Sequence, residues 1–376
     1  MFAALSADPR VAALGAAAAV TLLICLYSPA IAERFSVMAH PDDCRKLHRC
    51  STPQTGGMAI LFGLMVWVLV MVLTDGTADH KLLYTTVLSA AGVGIVGFAD
   101  DQTGISPLAR ILLLIVFVGM AFALDNEFIT FQLNWGSLGP TTIPLWAYVP
   151  LMVITTVGVV NAVNMADGQD GVVGGMFAVW SGCLILITSG TAAGIATIMF
   201  VLSLLFLAFN LRGAIFLGNC GSYGVTFVIG LLVTLAHARG QLSLETVIVW
   251  FFIPVMDCLR LIISRPLRGL SPFLGDRDHF HHRLEDKMGK VQGLACYLAA
   301  VGLSSVVSAL QPRFALVCLA VLCAFYFSFA WLTDANVAKQ PAEEEPEEAS
   351  ARPDNVVPIS GEAADRRRGA ASRKDA

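Results

Sequence analysis

Residues 56–74 read GGMAILFGLMVWVLVMVLT, a run of nineteen residues without a charged side chain. A helix needs about 20 mainly apolar residues to cross the hydrocarbon core of a bilayer, so this run predicts a membrane-spanning helix. Similar runs recur along the chain, and together they predict eleven spans. These lie near residues 11–32, 56–74, 81–99, 108–125, 145–163, 172–189, 191–209, 221–237, 244–263, 292–310 and 314–333.

The composition also indicates a membrane protein. Of the 376 residues, 56% are apolar and 14% are charged, whereas about 25% are charged in an ordinary soluble domain. A soluble fold of this length could not withdraw so many apolar side chains from water. The composition likewise excludes collagen, a coiled coil, a disordered chain and a nucleic-acid-binding protein. We therefore predict an all-α polytopic membrane protein with a lipid bilayer as its solvent.

The distribution of positive charge predicts the orientation. With the N-terminus outside, the inner loops hold twelve Lys and Arg residues and the outer segments hold four. Because positive charge concentrates on the cytoplasmic side, the C-terminus is predicted to be cytoplasmic. Residues 30–32 (Ala-Ile-Ala) also resemble a signal-peptide cleavage site. Cleavage there would leave the basic loop 33–55 outside, so we interpret the first segment as a true span.

Two segments are predicted to lie outside the bilayer. Residues 127–144 alternate apolar and polar side chains around an Asn-Trp-Gly turn, which predicts a small periplasmic β-hairpin. Residues 334–376 carry ten acidic and seven basic side chains and few apolar ones, so they cannot bury enough surface to fold. The prediction is therefore a membrane domain over 1–333 and a disordered cytoplasmic tail over 334–376.

Polar and ionisable residues collect in the odd-numbered loops, which parity places on one membrane face. The clusters are Asp42, Asp43, Arg45, Lys46 and His48; Asp100 and Asp101; Asn161, Asn164, Asp167 and Asp170; Arg212, Asn219 and Ser222; and His279, His281 and His282. Ionisable groups beside membrane spans are costly and are candidates for function. Carboxylate and amide oxygens suit Mg²⁺ or Mn²⁺, and added cations suit a site that holds phosphates together. A transporter would more often place such groups at the bilayer midplane.

Each cluster also has a structural interpretation. Asp100 and Asp101 would cap the helix that follows them, and 161–171 would form simple turns. The Gly-rich loop 216–222 would either open a helix or cradle an anion on its backbone N–H groups. The histidines would belong to a solvated loop. Asp257, inside a predicted span, is interpreted as a structural partner of Arg260 one turn later.

Taken in order, the motifs resemble a known family. They are Arg45-Lys-Leu-His48, the pair Asp100-Asp101, Asn161-Ala-Val-Asn-Met-Ala-Asp-Gly-Gln-Asp-Gly171, Phe216-Leu-Gly-Asn-Cys-Gly-Ser222 and Asp276-Arg-Asp-His-Phe-His-His282. Over residues 40 to 290 the chain resembles the polyprenyl-phosphate N-acetylhexosamine-1-phosphate transferases, or glycosyltransferase 4 family. The histidine motif is similar to that of the WecA-like and TagO-like branch, which takes UDP-GlcNAc.

The resemblance implies transfer of GlcNAc-1-phosphate from a UDP-GlcNAc donor to undecaprenyl phosphate, releasing UMP at the cytoplasmic face of a bacterial inner membrane. This would be the first lipid-linked step of a cell-surface polysaccharide, and a homodimer is compatible with it. The implied catalytic residues are Asp100, Asp101, Asp167 and Asp170. The implied substrate-binding residues are Arg45, Lys46, His48, Arg110, Arg277, His279, His281 and His282. The implied ligands of a Mg²⁺ or Mn²⁺ cofactor are Asn164, Asp101 and Asn219.

Two positions depart from the family pattern. Relatives usually have Asp where this chain has Asn219, which offers one oxygen and no charge, so metal binding would be weaker. Relatives usually have Lys where this chain has Arg110, which keeps the charge but changes its shape. Other UDP-N-acetylhexosamine donors and a non-catalytic polyprenyl-phosphate binder or transporter stay open as alternatives.

Overall fold

A computed structural model describes residues 8–40, 51–130, 132–136, 139–271 and 277–337, with side chains up to 333. Within these residues there are thirteen α-helices. They are α1 (Pro9–Leu26), α2 (Ser28–Phe35), α3 (Gly56–Thr74), α4 (His80–Thr103), α5 (Pro107–Leu124), α6 (Leu145–Ala166), α7 (Val172–Ile187), α8 (Gly190–Asn210), α9 (Gly218–Ala238), α10 (Leu244–Leu267), α11 (Phe280–Met288), α12 (Lys290–Leu310) and α13 (Ala315–Val337).

The prediction of an all-α polytopic membrane protein is confirmed. Among the described residues, ten helices are long and apolar enough to cross a membrane, and α7 is a shorter apolar helix of 16 residues. Each of the eleven predicted spans corresponds to one of these helices. The first predicted span differs in detail, because α1 ends at Leu26 and α2 begins at Ser28. Pro29 has no backbone N–H to continue the hydrogen bonding of α1.

The helices pack around α9, which is almost entirely buried. Close approach depends on glycines that face one another on neighbouring helices. A Cβ on Gly57 in α3 would overlap the backbone of Gly221, and a Cβ on Gly97 in α4 would overlap that of Asn219. Small residues permit such contact between membrane helices. This packing brings the beginnings of α3 and α9 beside the C-terminal end of α4.

We call this end of the bundle the site end. It comprises the beginnings of α3 and α9 and the C-terminal ends of α4 and α6. The backbone N–H groups of Gly56 and Gly57 donate to the carbonyl oxygens of Phe216 and Leu217, at 3.0 and 2.8 Å. The parity argument from sequence therefore agrees with the packing, because loops that are distant in sequence meet here.

The opposite end carries the predicted hairpin. Strand β3 (Gln132–Trp135) pairs antiparallel with β4 (Gly139–Thr142) in the register Gln132 to Thr142. The side chain of Asn134 donates to the carbonyl oxygen of His237 at the end of α9, at 2.8 Å. At the site end a second small sheet pairs β1 (Met38–Ala39) with β2 (Thr52–Pro53).

The described residues up to Trp331 form one compact unit, and a second unit begins at Leu332. Of that second unit the structure describes only the end of α13. The predicted tail over 334–376 therefore falls almost wholly outside the described residues, and so do the candidate residues Arg45, Lys46 and His48.

Candidate active site

The side chain of Asp101 caps the N-terminus of α9. One carboxylate oxygen accepts the backbone N–H of Asn219 at 2.8 Å, and the other accepts that of Cys220 at 3.1 Å. A negative charge at this position also interacts favourably with the helix dipole. The Gly-rich loop therefore begins a helix, and its backbone N–H groups also bind an anion. That anion is the Asp101 carboxylate of the same chain. Gly218 adopts a φ of +72° there, and a Cβ on it would lie 2.9 Å from Asp101.

Asp100 is buried and surrounded by donors. Its Oδ2 accepts hydrogen bonds from the hydroxyl of Tyr223 at 2.7 Å and the side-chain amide of Asn219 at 3.0 Å. Arg110 Nη2 lies 3.0 Å from the same oxygen. The other oxygen accepts the backbone N–H of Ile105 at 2.7 Å. The carboxylate is thus held in one orientation by groups from two helices, α5 and α9, and a loop.

The interpretation of Asp100 and Asp101 as caps of the helix that follows them is wrong. The helix that follows, α5, is capped by Ser106, whose side chain accepts from the N–H of Ala109. Asp101 instead caps a helix more than a hundred residues later in the chain. Tyr223 was not predicted, because inside an apolar helix a single tyrosine gives no signal of its own.

The amides of Asn164 and Asn219 are linked. Asn164 Nδ2 donates to Asn219 Oδ1 at 2.7 Å and lies 2.9 Å from Ser222 Oγ. Asn219 then donates to Asp100 through its own Nδ2. An aspartate at position 219 would have no hydrogen to donate and would face the Asp100 carboxylate directly. The departure from the family pattern therefore gives Asp100 a donor.

Asp167 follows α6 and lies close to other carboxylates. Burial, and then the negative charges of Asp101 and Asp170, raise the pKa of Asp167 to about 7. Asp170 forms an ion pair with Lys290, whose Nζ lies 2.8 Å from Asp170 Oδ2. The three acidic side chains thus form an electrostatically unfavourable group, which an added cation would stabilise.

The histidine motif contacts the same loop. A Cβ on Gly168 would lie 2.8 Å from His281 Nε2 and 3.0 Å from His282 Nε2, so only glycine lets the rings approach this closely. Burial, followed by the charges of neighbouring histidines, lowers the pKa of His281 well below its usual value. Burial and the nearby Arg277 lower the pKa of His282. Both rings are therefore neutral at pH 7.

Several polar atoms at the site end are buried without a hydrogen bond from the described residues. They include His281 Nε2, Arg110 Nε and both side-chain amide atoms of Gln169. A buried polar atom that lacks a partner costs about 1–3 kcal/mol. Such atoms are expected where a ligand completes the hydrogen bonding.

The remaining predicted residues lie beside this group. Arg277 Nη2 lies 3.2 Å from Asp286 and 3.5 Å from Glu285 in α11. His279 donates from Nδ1 to Asp257 at 2.9 Å. The predicted pairing of Asp257 with Arg260 is present at 3.0 Å, but the contact of Asp257 with the histidine motif was not predicted.

The donor set at Asp167 has the chemistry that Mg²⁺ and Mn²⁺ prefer, since its ligands are oxygen atoms. Over the described ranges, no three acidic, imidazole or thiol side chains form a complete metal-binding group. Mg²⁺ is commonly held by one or two carboxylates together with substrate phosphates. The residues present therefore fit a cation that a phosphorylated substrate helps to hold.

The family model described as Glycosyl transferase family 4 matches residues 82–237. This range contains the acidic pair, the loop of Asn164 and Asp167, and the beginning of α9. Similar proteins include the undecaprenyl-phosphate alpha-N-acetylglucosaminyl 1-phosphate transferase of Escherichia coli, which is 26% identical over 82% of this chain and 87% of its own length. Over residues 82–237 the chain is therefore similar to glycosyl transferase family 4.

Two further relatives of this chain have related names. The probable undecaprenyl-phosphate N-acetylglucosaminyl 1-phosphate transferase of Bacillus subtilis is 28% identical over 74% of this chain and 78% of its own length. The decaprenyl-phosphate N-acetylglucosaminephosphotransferase of Mycobacterium leprae is 25% identical over 68% of this chain and 71% of its own. With ten candidate spans among its described residues, the chain is therefore a multi-pass membrane enzyme.

The matched range does not include the whole candidate site. The histidine motif and Asp257 lie beyond residue 237, yet His281 and His282 of the motif lie beside Gly168. The candidate site is thus built from the family 4 region and from the C-terminal part of the membrane domain.

Proposed function

We propose that this enzyme transfers GlcNAc-1-phosphate from UDP-GlcNAc to undecaprenyl phosphate. An oxygen of the lipid phosphate attacks the phosphorus that bears the sugar, and the bond from that phosphorus to the bridging oxygen breaks. The products are undecaprenyl-diphospho-GlcNAc and UMP. This would begin the assembly of a lipid-linked cell-surface polysaccharide.

The observation that supports this function best is the meeting of acidic, amide and histidine groups at one end of a membrane bundle. A soluble nucleotide sugar and a lipid phosphate can only meet at a membrane surface. Because the basic loops share this end with the site, we propose that it faces the cytoplasm. The names of the relatives support the choice of donor and acceptor.

Arg110 is the proposed contact for the lipid phosphate. It lies in the first turn of α5, whose Leu108 and Leu112 are 68% and 54% exposed, as expected of a lipid-facing helix. Its guanidinium pairs with Asp100 through Nη2, while Nε is buried and receives no partner from the described chain. Arginine matches phosphate geometry well. Asp100 would orient this guanidinium and the incoming phosphate.

On the donor side, His281 and His282 would contact the diphosphate and sugar as neutral rings beside Gly168. Asp167, with Asp101 and Asn164 near it, would hold a divalent cation. When bound, that cation would offset the repulsion between the two phosphorylated substrates and stabilise charge on the transferred group. Asp170 is paired with Lys290 and would keep the loop in place.

Purified protein in nanodiscs with radiolabelled UDP-GlcNAc, undecaprenyl phosphate and Mg²⁺ or Mn²⁺ tests the proposal. We expect a lipid-linked radioactive product and an equal amount of UMP. The absence of product with either metal would contradict the proposal. Flux of polyprenyl phosphate across proteoliposomes without nucleotide consumption would instead support a transporter. Competition by unlabelled UDP-GalNAc tests the choice of sugar, and we expect UDP-GlcNAc to compete better.

A further inference from the structure

Asp257 is a buried carboxylate within the membrane helix α10, with 5% of its surface exposed. An ionisable group at such a position is expensive unless it is well paired, and it indicates function by default. Neither the family model nor the proposed roles above include it. Its contacts connect α10 with the histidine motif and with the last helix.

Both oxygens of Asp257 accept hydrogen bonds. Oδ2 accepts from His279 Nδ1 at 2.9 Å. Oδ1 accepts from the backbone N–H of Phe280 at 3.1 Å, from Arg260 Nη2 at 3.0 Å and from the hydroxyl of Tyr326 at 3.2 Å. One side chain therefore fixes two consecutive residues of the histidine motif.

The groups around Asp257 also contact one another. Arg260 Nε also donates to the hydroxyl of Tyr326 at 3.1 Å, and Arg260 contacts the backbone carbonyl of Asp278. The ring of Phe280 packs against that of Tyr326, with centroids 4.7 Å apart. Since α13 contributes Tyr326, the last described helix takes part in positioning the motif.

This arrangement determines which nitrogen of His279 carries a hydrogen. A carboxylate that faces four donors can only accept, so Nδ1 must be protonated. Nε2 is then the nitrogen left for other contacts, and among the described residues it has no hydrogen bond. The His279 ring also stacks on His281, at 5.5 Å between centroids, and His281 in turn contacts Gly168.

We propose that Asp257 is a positioning residue that sets the tautomer and orientation of His279, with Arg260 and Tyr326 holding its carboxylate. On the proposed function, on which this inference rests, the substrate group is a hydrogen-bond donor of UDP-GlcNAc, a sugar hydroxyl or the N-acetyl N–H. Nε2 of His279, which carries no hydrogen when Nδ1 does, is the acceptor presented to it. Carboxylates orient histidines in the same way at metal sites, where removal of the carboxylate costs about 10–100-fold in metal affinity or activity.

The test compares wild type with Asp257→Asn, His279→Gln and the double variant, in nanodiscs. We expect Asp257→Asn to lower kcat/KM for the donor by about 10–100-fold. The KM for the lipid acceptor should stay unchanged. Because both residues act through one contact, the double variant should be no worse than His279→Gln alone. Additive losses, or an Asp257→Asn enzyme equal to wild type, would overturn the proposal.

A second measurement does not require activity. In protein labelled with ¹⁵N-histidine, NMR should show a protonated Nδ1 for His279, assigned by its disappearance in His279→Gln. Asp257→Asn should remove that proton from Nδ1. An unprotonated Nδ1 in wild type would overturn the inference even if transfer occurs. If wild type makes no lipid-linked product but shows this signal, the proposed function fails and the role of Asp257 in positioning stands.

The control is Asp125→Asn. Asp125 is also buried, at 2% exposure, and pairs with Lys81 at 3.1 Å at the opposite end of the bundle. We expect this variant to bind donor as wild type does and to retain the His279 signal. Tyr326→Phe removes one of the four donors to Asp257 and should cause a smaller loss than Asp257→Asn.

Discussion

Both ends of the helix bundle bury carboxylates, but the charged groups beside those carboxylates differ. At the opposite end, Asp75 pairs with Arg10 at 3.0 Å and Asp125 pairs with Lys81 at 3.1 Å. At the site end, by contrast, Asp167 lies near two other acidic groups, and burial together with their charges raises its pKa to about 7.

The two ends also differ in how these individual polar groups are hydrogen-bonded. Glu245, at the opposite end, accepts the backbone N–H of Gly136 at 2.8 Å and so secures the hairpin. At the site end, His281 Nε2 and Arg110 Nε are buried without a hydrogen bond from the described part of the chain. Satisfied polar groups stabilise a fold, whereas unsatisfied ones are costly unless a ligand completes them. Gln241 Oε1 at the opposite end is also buried without a hydrogen bond from the described residues, so the site end is marked by the clustering of such atoms beside Asp167 and Asp100.

The largest expected difference in activity is between the same Asp-to-Asn substitution made at the site end and at the opposite end. Asp100→Asn should lower transfer by about 10²–10³-fold, because it breaks the ion pair that orients Arg110 toward the phosphate. Asp125→Asn should leave transfer nearly unchanged while lowering the melting temperature. Transfer assays and thermal unfolding on both variants check this. Equal losses of activity would show that the two ends are not distinct.

The next expected effect concerns the space at Gly168. An added methyl group would lie 2.8 Å from His281 Nε2, so Gly168→Ala must displace the histidine rings from the Asp167 loop. Misplacement of about 1 Å can cost roughly 10²-fold in rate, and we expect a loss of about 10–100-fold in kcat. Gly158→Ala is the matched control, since a methyl group there meets nothing within 4 Å. A fully active Gly168→Ala enzyme would remove the histidines from the proposed site.

These comparisons also show what the sequence could predict. Hydropathy located all eleven apolar helices, because each span must be a nearly continuous apolar run. Parity placed the motifs at one end, because alternate loops of a bundle share a face. Both arguments depend only on order along the chain. They do not depend on which side chains finally touch.

The contacts across the bundle could not be predicted in the same way. Asp101 caps α9 from more than a hundred residues away, and nothing in the spacing indicates that contact. Asp257 was interpreted through its neighbour Arg260, because helical periodicity reports contacts one turn apart. Its contact with His279 arises only because the chain folds back after α10. Tertiary packing, rather than local pattern, determines these roles.

A smaller effect is expected at Asn219, where the departure from the family pattern can be reversed. Asn219→Asp removes the hydrogen bond to Asp100 and adds a further acidic group beside Asp100 and Asp101. The variant should melt at a lower temperature than wild type in EDTA. Mg²⁺ should restore more of its stability than that of wild type, because a ligand that binds the folded state stabilises it. Thermal unfolding across a Mg²⁺ titration checks this, and increased transfer activity would show that Asn219 limits catalysis.

The smallest effect is expected at Asp75, where a carboxylate is stabilised by its own neighbours. Hydrogen bonds from Thr77, and then from Arg10, lower the pKa of Asp75 from 3.8 to about 2. The ionised form therefore stabilises the fold above pH 3.8, and this contribution disappears as the pH falls through 2. Asp75→Asn should melt slightly below wild type at pH 7, and the difference should vanish in acid. Transfer activity at pH 7 should not change, because this carboxylate lies at the end of the bundle where every described acidic group has its partner nearby. A difference that persisted below pH 2 would mean that the side chain acts through packing rather than through its charge.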